Sequence, residues 1–316
     1  MVFGSRLPRR ILTDGYPIGN EPPSAREWAS YASHYAFVNG VLKFDGKPCK
    51  KGNRISSGTF GTVYEYMVGK QKIAVKLFNF PVFEDPAVAQ EVYVVCFMNK
   101  KDSETESTTD TQSTRMAAFA LSGMDRKGVS DGTACIVSPV YTPLVLKEPL
   151  SIDKSLELTR AYFRDAHDIF RAYNLLSFDT KFTNALISTT DRSQTLHACD
   201  YGGYTKPGTL AHPTYPSPWM SRDTFGGQRM SEELCVYTFL VTFLSFMRTA
   251  DIQDFNFRNL ENHEGRVRAR EHLMRLGGFF PEGPIRDFVI YAAVPGHAPT
   301  TMSRASELLD AACKAA

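Results

Sequence analysis

The chain lacks several things that would settle its class at once. Its six cysteines stand far apart among 316 residues, with no Cys-x-x-Cys pair and no metal-type spacing. That excludes a disulfide scaffold or a zinc module and leaves reduced thiols in an intracellular protein as the expectation. Charge of one sign is also lacking: 36 Lys and Arg against 34 Asp and Glu leave a formal +2, so nothing demands a nucleic-acid partner. No apolar run is long enough to span a bilayer, since the longest, Leu234 to Met247, reads as a buried helix, and no membrane partner is expected. The first residues are basic but have no apolar core, so they do not read as a secretory leader. What remains is a chain with 43% hydrophobic residues, long enough to bury a large core.

The informative stretch is Asp179-Thr180-Lys181-Phe182-Thr183-Asn184, followed by Asp200-Tyr201-Gly202. In order it supplies a carboxylate to orient a hydroxyl, a lysine for phosphate charge, and an amide and second carboxylate for Mg²⁺, which is the equipment of phosphoryl transfer. Upstream, Ser56-Ser57-Gly58-Thr59-Phe60-Gly61-Thr62-Val63 precedes Ile73-Ala74-Val75-Lys76, and both are flanked by runs of strand type. Glycines three apart permit a turn whose backbone approaches phosphates closely, although a plain hairpin needs nothing more. Lys76 in an apolar strand asks for an anionic partner, because a buried ammonium without one is costly. Glu91 is the natural partner, sharing a helical face with Val95 and Met98 just after Pro86. Taken alone, Lys76 also fits an edge-strand lysine kept in water, and Glu91 reads as one more solvated helix carboxylate.

In this order along the chain, these elements resemble the eukaryotic protein kinase family, serine/threonine branch, from about residue 46 onward. The resemblance implies an α+β, bilobal protein-kinase-like fold, with a small antiparallel N-lobe sheet, one key helix and a mostly helical C-lobe. It divides the chain into an N-terminal extension (1–45), an N-lobe (46–141) and a C-lobe (142–316). ATP and Mg²⁺ are the cofactors it implies, and Ser or Thr hydroxyls of proteins the substrates. Mapped residue by residue, Gly58, Gly61 and Val63 stand in the glycine-rich loop, with Ser56 where a first glycine is usual. Lys76 matches the lysine on the α/β-phosphates and Glu91 its helix partner, and Ala74 lines the nucleotide site. Asp179 matches the catalytic aspartate, Lys181 the lysine that marks the serine/threonine branch, and Asn184 and Asp200 the metal ligands. Cys135 to Tyr141 looks like the strand and hinge for adenine, with Ser138 as gatekeeper and the backbone of Pro139 and Tyr141 facing the base.

Other segments fit the same pattern. Leu156 to Phe170 has helical period and leads into the catalytic loop, and His167 within it reads as a half-buried residue without chemistry. Ala185–Ile187 and Leu196–Cys199 read as a strand pair that carries Asn184 and Asp200 together. The run from Lys100 to Arg115 reads as a solvated loop, and Arg266, Arg268, Arg270 and Arg275 as a solvated basic face. The chain also departs from the family. Ser177-Phe178 replaces the usual His-Arg, so phosphates on Thr205, Thr209, Thr214 or Tyr215 have no ready cation beside Asp179. Trp219 stands where a glutamate is usual, with Met302 at or near its missing arginine partner, and Glu233 stands where an aspartate is usual. These departures keep a nucleotide-binding pseudokinase scaffold open, and a small-molecule phosphotransferase shares the Asp…Asn…Asp logic. Asp-Tyr-Gly and the hinge proline resemble the kinases of large DNA viruses, herpesvirus-type above all.

Overall fold

The computed structural model describes residues 35–38, 40–58, 60–81, 85–104, 118–121, 134–145, 148–177, 179–190, 193–209, 230–247, 271, 275, 278, 280–293 and 300–316. The chain divides into two compact units, Met1–Tyr141 and Thr142–Ala316.

The first unit is built on two antiparallel sheets. Strands β1 (Tyr35–Val38), β2 (Val41–Phe44) and β3 (Lys47–Pro48) form one, in sequence order. The other is five-stranded, ordered β4-β5-β6-β8-β7, from β4 (Lys50–Ser57), β5 (Gly61–Val68), β6 (Gln71–Phe78), β7 (Ala118–Leu121) and β8 (Ala134–Pro139). The β5–β6 hairpin closes at Val68 opposite Gln71, a two-residue connection in which Gly69 has φ 61°, a left-handed backbone that glycine enters without steric cost. One face of the large sheet packs Tyr66, Ile73, Val75, Cys135 and Val137 against Leu42 of the small one and Cys49 in the link between the two sheets, with Tyr35 and Phe44 beside them.

Two expectations shift here. Residues 35–44 fall within the stretch assigned to an N-terminal extension, yet they form a hairpin whose Leu42 is fully buried. A single buried leucine contributes about 1.5–3 kcal/mol, enough to hold strands too short to show a period of two. Helix α1 (Pro86–Glu104) begins where the Asp85 carboxylate accepts from the Val88 N–H at 3.1 Å, with proline in the first turn where its missing N–H costs nothing. It buries Val88, Glu91, Val92, Val95 and Met98 and runs to Glu104, into the segment expected as loop from Lys100.

The second unit is mainly helical. After β9 (Thr142–Pro143) come α2 (Ile152–Tyr173), β10 (Leu176–Ser177), β11 (Ala185–Thr190), β12 (Ser193–Ala198), β13 (Tyr204–Thr205), α3 (Glu232–Met247), α4 (Pro284–Ala293) and α5 (Met302–Ala315). Helix α2 starts on the Ser151 hydroxyl, which accepts from Lys154 N, and stops at Asn174, whose left-handed φ of 55° lets its N–H close on Phe170 O. Helix α3 is apolar on nearly every side and correspondingly buried. Phe239 of α3 meets Tyr162 and Phe163 of α2 edge-on, with ring centroids 5.2 and 4.9 Å apart. Helix α5 packs on α2, α3 and α4. Its first turn is capped by the Thr301 hydroxyl and by Glu232 of α3, whose Oε2 accepts from Met302 N at 2.7 Å. Met302, Ala305, Leu309 and Ala312 are fully buried. Trp219, with the segment around it, and Phe178 lie outside the described residues, as do Thr214, Tyr215, Arg266, Arg268 and Arg270.

Candidate active site

Sheet register gathers part of the site in the first unit. Lys76 pairs with Val63 on one side and Ile136 on the other, while Ala74 pairs with Ser138. Directly opposed residues point to the same face and side chains alternate along a strand, so Val63, Ala74, Lys76 and Ser138 share one face. It is the face opposite the Tyr66–Ile73–Val75 core. Pro139 falls on the other face, opposite Ile73, so only its backbone is available to the role assigned to it, and Tyr141 lies beyond the strand end. The Lys76 ammonium donates to both oxygens of Glu91, at 2.7 and 2.6 Å. Glu91 is 4% exposed, and burial of this kind is tolerated because the charges answer each other.

The two loop glycines have different reasons to be glycine. At Gly61 a Cβ would lie 2.6 Å from the Leu77 carbonyl oxygen, so strand pairing alone requires it. At Gly58 a Cβ would meet nothing within 4 Å, which leaves the backbone at this point open to a close-approaching ligand. The turn between them is closed by Gly58 N donating to Gly61 O at 2.9 Å.

The second unit assembles the remaining residues. From β10 the chain passes Asp179, makes one 3₁₀ turn at Phe182–Asn184 and enters β11. Asp179 is 8% exposed. Its Oδ2 accepts from Lys181 Nζ at 2.7 Å and from Asn184 Nδ2 at 3.0 Å, while the same amide also reaches Asp179 O at 3.0 Å. Its Oδ1 is buried and has no hydrogen-bond partner among the described residues. The β11–β12 pairing sets Ala185 opposite Ala198, and Cys199 N donates to Asn184 O at 2.9 Å, which brings Asp200 beside Asn184. Asp200 has φ 65° and ψ 71°, a left-handed conformation that non-glycine residues adopt at a cost and that aspartate tolerates better than most. Among the described residues no cluster of three or more His, Cys, Asp or Glu is arranged to hold a metal. The oxygen set of Asn184 and Asp200 instead fits Mg²⁺, which takes one or two carboxylates and completes its shell from phosphate and water.

Side chains that carry no motif hold this loop. Tyr162 of α2 donates to Asn184 O at 3.3 Å, and Asp165 Oδ2 accepts from Ala198 N at 2.9 Å. Burial above all, and then the negative neighbours Cys199, Asp179 and Asp165, push the Tyr162 hydroxyl well above its usual range, so it stays a donor. Gly203 backs the Asp179 carboxylate closely: a Cβ there would sit 2.9 Å from Asp179 Cβ. In the sequence that contact is marked by nothing more than a second glycine after Gly202, which no motif spacing singles out. Of the hydroxyls whose phosphates would lack a cation beside Asp179, Thr205 is 2% exposed and pairs with Leu176 in the β10–β13 bridge, so a phosphate has no room there.

No protein-family model matches the sequence, and no curated protein does. The fold is similar to that in the solved structure of vaccinia related kinase 3, with a TM-score of 0.59 and 13% identity over 86% of this chain and 88% of that one. At that identity the likeness speaks for architecture, and the two units carry the strand-rich and helical halves of a protein-kinase-like α+β fold.

Proposed function

We propose that the chain is a protein kinase that transfers the ATP γ-phosphate to Ser or Thr hydroxyls of proteins. The observation that carries this reading is the state of Asp179: buried, held through Oδ2 by Lys181 and Asn184, and left with an Oδ1 that no described group uses. A carboxylate oriented on one oxygen and open on the other is suited to accept a hydrogen bond from an incoming hydroxyl and take its proton late in transfer. Lys181 then supplies positive charge to the transferring group, and Lys76, fixed by Glu91, positions the α/β-phosphates. Asn184 and Asp200 would hold Mg²⁺, which neutralises charge on the phosphates when bound. The backbone at Gly58 covers the phosphates, while Val63, Ala74 and the strand ending at Ser138 and Pro139 flank the base. Protein substrates, an intracellular location in cytoplasm or nucleus, and kinship to kinases of large DNA viruses belong to the same proposal.

Transfer of radiolabelled γ-phosphate by the purified wild type, beside Lys76→Met, tests it with a basic protein and with small aminoalcohols as acceptors. Label on Ser and Thr of the protein, lost in Lys76→Met, is the expected outcome. Label only on the small alcohols would identify a small-molecule phosphotransferase. Nucleotide binding with no transfer to either acceptor would identify a scaffold.

A further inference from the structure

Helix α3 carries three buried hydroxyl residues in an otherwise apolar sequence: Thr238, Thr242 and Ser245, 2%, 1% and 5% exposed. Their spacing of four and three residues sets them on one stripe of the helix. Buried hydroxyls cost stability unless they are hydrogen-bonded, and each of these bonds back to its own helix: Thr238 to Cys235 O at 2.7 Å, Thr242 to Thr238 O at 2.9 Å and Ser245 to Thr242 O at 2.7 Å. Such back-bonding satisfies the hydroxyls and gives no reason to prefer threonine over alanine, which is the better helix former.

Two contacts leave the helix and supply the reason. Thr242 Oγ1 also lies 2.7 Å from Thr180 O, closer than its helical acceptor, and Thr180 Oγ1 donates to Thr238 Oγ1 at 2.5 Å. Both the carbonyl and the side chain of Thr180 are therefore gripped from α3, four residues apart. One helical stripe thus holds the loop at Thr180, directly after Asp179.

We propose that Thr238 and Thr242 are positioning residues that fix the backbone at Thr180 and through it the direction of the Asp179 carboxylate. The proposal rests on the role given to Asp179 above. A threonine hydroxyl suits the task better than a charged group here. It donates to the loop carbonyl and accepts from the loop side chain without bringing a charge into a helix buried on nearly every side. The β-branch limits χ1, so the hydroxyl arrives already aimed. The grip also differs from an apolar contact in tolerating little slack, because a hydrogen bond weakens steeply with angle.

Thr242→Val and Thr238→Val keep the shape and remove the hydroxyl, while Thr242→Ser keeps the hydroxyl. The first readout, amide hydrogen exchange, does not depend on activity. Thr242→Val is expected to speed exchange in the peptide spanning Asp179–Asn184 and to leave α2 and the rest of α3 at wild-type protection. Thr242→Ser is expected to match wild type. The second readout is kinetic. Both valine variants are expected to lower kcat by about 10-fold to 100-fold, the order a misplacement near 1 Å produces. KM for ATP should stay within about two-fold, because uniform binding is untouched, and serine should restore most of the loss. Unchanged exchange over Asp179–Asn184 in Thr242→Val would overturn the proposal, and so would accelerated exchange spread evenly through α2 and α3. If Asp179→Asn leaves turnover intact, the kinase reading fails, and the exchange result still decides the grip on Thr180.

Discussion

Removing Lys76 from its pair with Glu91 is a perturbation whose size follows from the geometry. The ammonium lies 2.6 and 2.7 Å from the two carboxylate oxygens, with side-chain exposures of 20% and 5%. At an effective dielectric near 20 the gross attraction at this separation is about 6 kcal/mol, and desolvation of both groups offsets most of it. Lys76→Met leaves the carboxylate buried without its nearest cation, a change that costs about 3–5 kcal/mol when both partners are enclosed. Lys76 keeps a fifth of its side chain open to water, so the lower end, about 3 kcal/mol, is expected. The double variant Lys76→Met/Glu91→Leu exchanges the pair for apolar groups and should recover most of that stability, since such exchanges are often neutral. It should recover none of the phosphoryl transfer. Urea unfolding midpoints for wild type, the single variant and the double variant, read beside γ-phosphate transfer, make the comparison. A single variant with the wild-type midpoint, or a double variant no more stable than the single, would refute the reasoning, because both outcomes require that the pair carries no net desolvated charge.

Asp179→Asn is expected to cut turnover by orders of magnitude and leave Mg-ATP affinity within a few-fold, whereas Asp200→Asn should weaken Mg-ATP binding as well; intact turnover in both variants would remove the division of labour. Gly203→Ala sets a methyl 2.9 Å from Asp179 Cβ and should lower kcat at least about tenfold with little change in ATP KM, since small shifts at a reacting group are costly; wild-type kcat in a folded variant would show that the loop has slack. Stability should fall on the alkaline side. Burial pushes the Cys235 thiol from 9.0 up to about 12, so the folded state favours the protonated form and its contribution is whole below pH 9 and lost as pH rises towards 12. Cys96, Tyr162 and Tyr204 shift in the same direction, burial being the first cause in each. Urea midpoints should hold level from pH 7 to 8.5 and then drop, with Cys235 alone worth on the order of 2–3 kcal/mol by pH 11; a midpoint that does not move between pH 8 and 11 would contradict the burial of these groups.

What the sequence made legible was chemistry that forces a partner. Lys76 in an apolar strand needed an anion, and Glu91 supplies it. The apolar segments around Asp191–Gln194 needed to pair, and β11 and β12 do so in the register that joins Asn184 to Asp200. The hairpin at residues 35–44 is not legible in the sequence because four-residue strands barely establish a period, and Leu42 shows its burial only once the other sheet is present. Gly61 fits a phosphate loop by spacing, whereas Leu77 O already requires a glycine there. Gly203, Tyr162 and the α3 threonines left no pattern, because a residue that braces a loop from behind is defined by what lies across the fold and not by its neighbours in the chain.

The packing of α5 has a consequence for how the protein is made. Helix α3, apolar on nearly every side, is complete once Met247 has been synthesised, but Met302, Ala305, Leu309 and Ala312, with which α5 packs on it and on α2, come much later. At 5–20 residues per second the ribosome takes roughly 3–13 seconds to bridge that gap. Through that interval the most apolar of the described helices lacks one of its covers, and the Glu232 carboxylate awaits the helix end it will cap. In the first unit β6 waits in the same way for β8, whose Ile136 pairs with its Lys76. In the second unit the step that ends the exposure of α3 is the docking of one 14-residue helix.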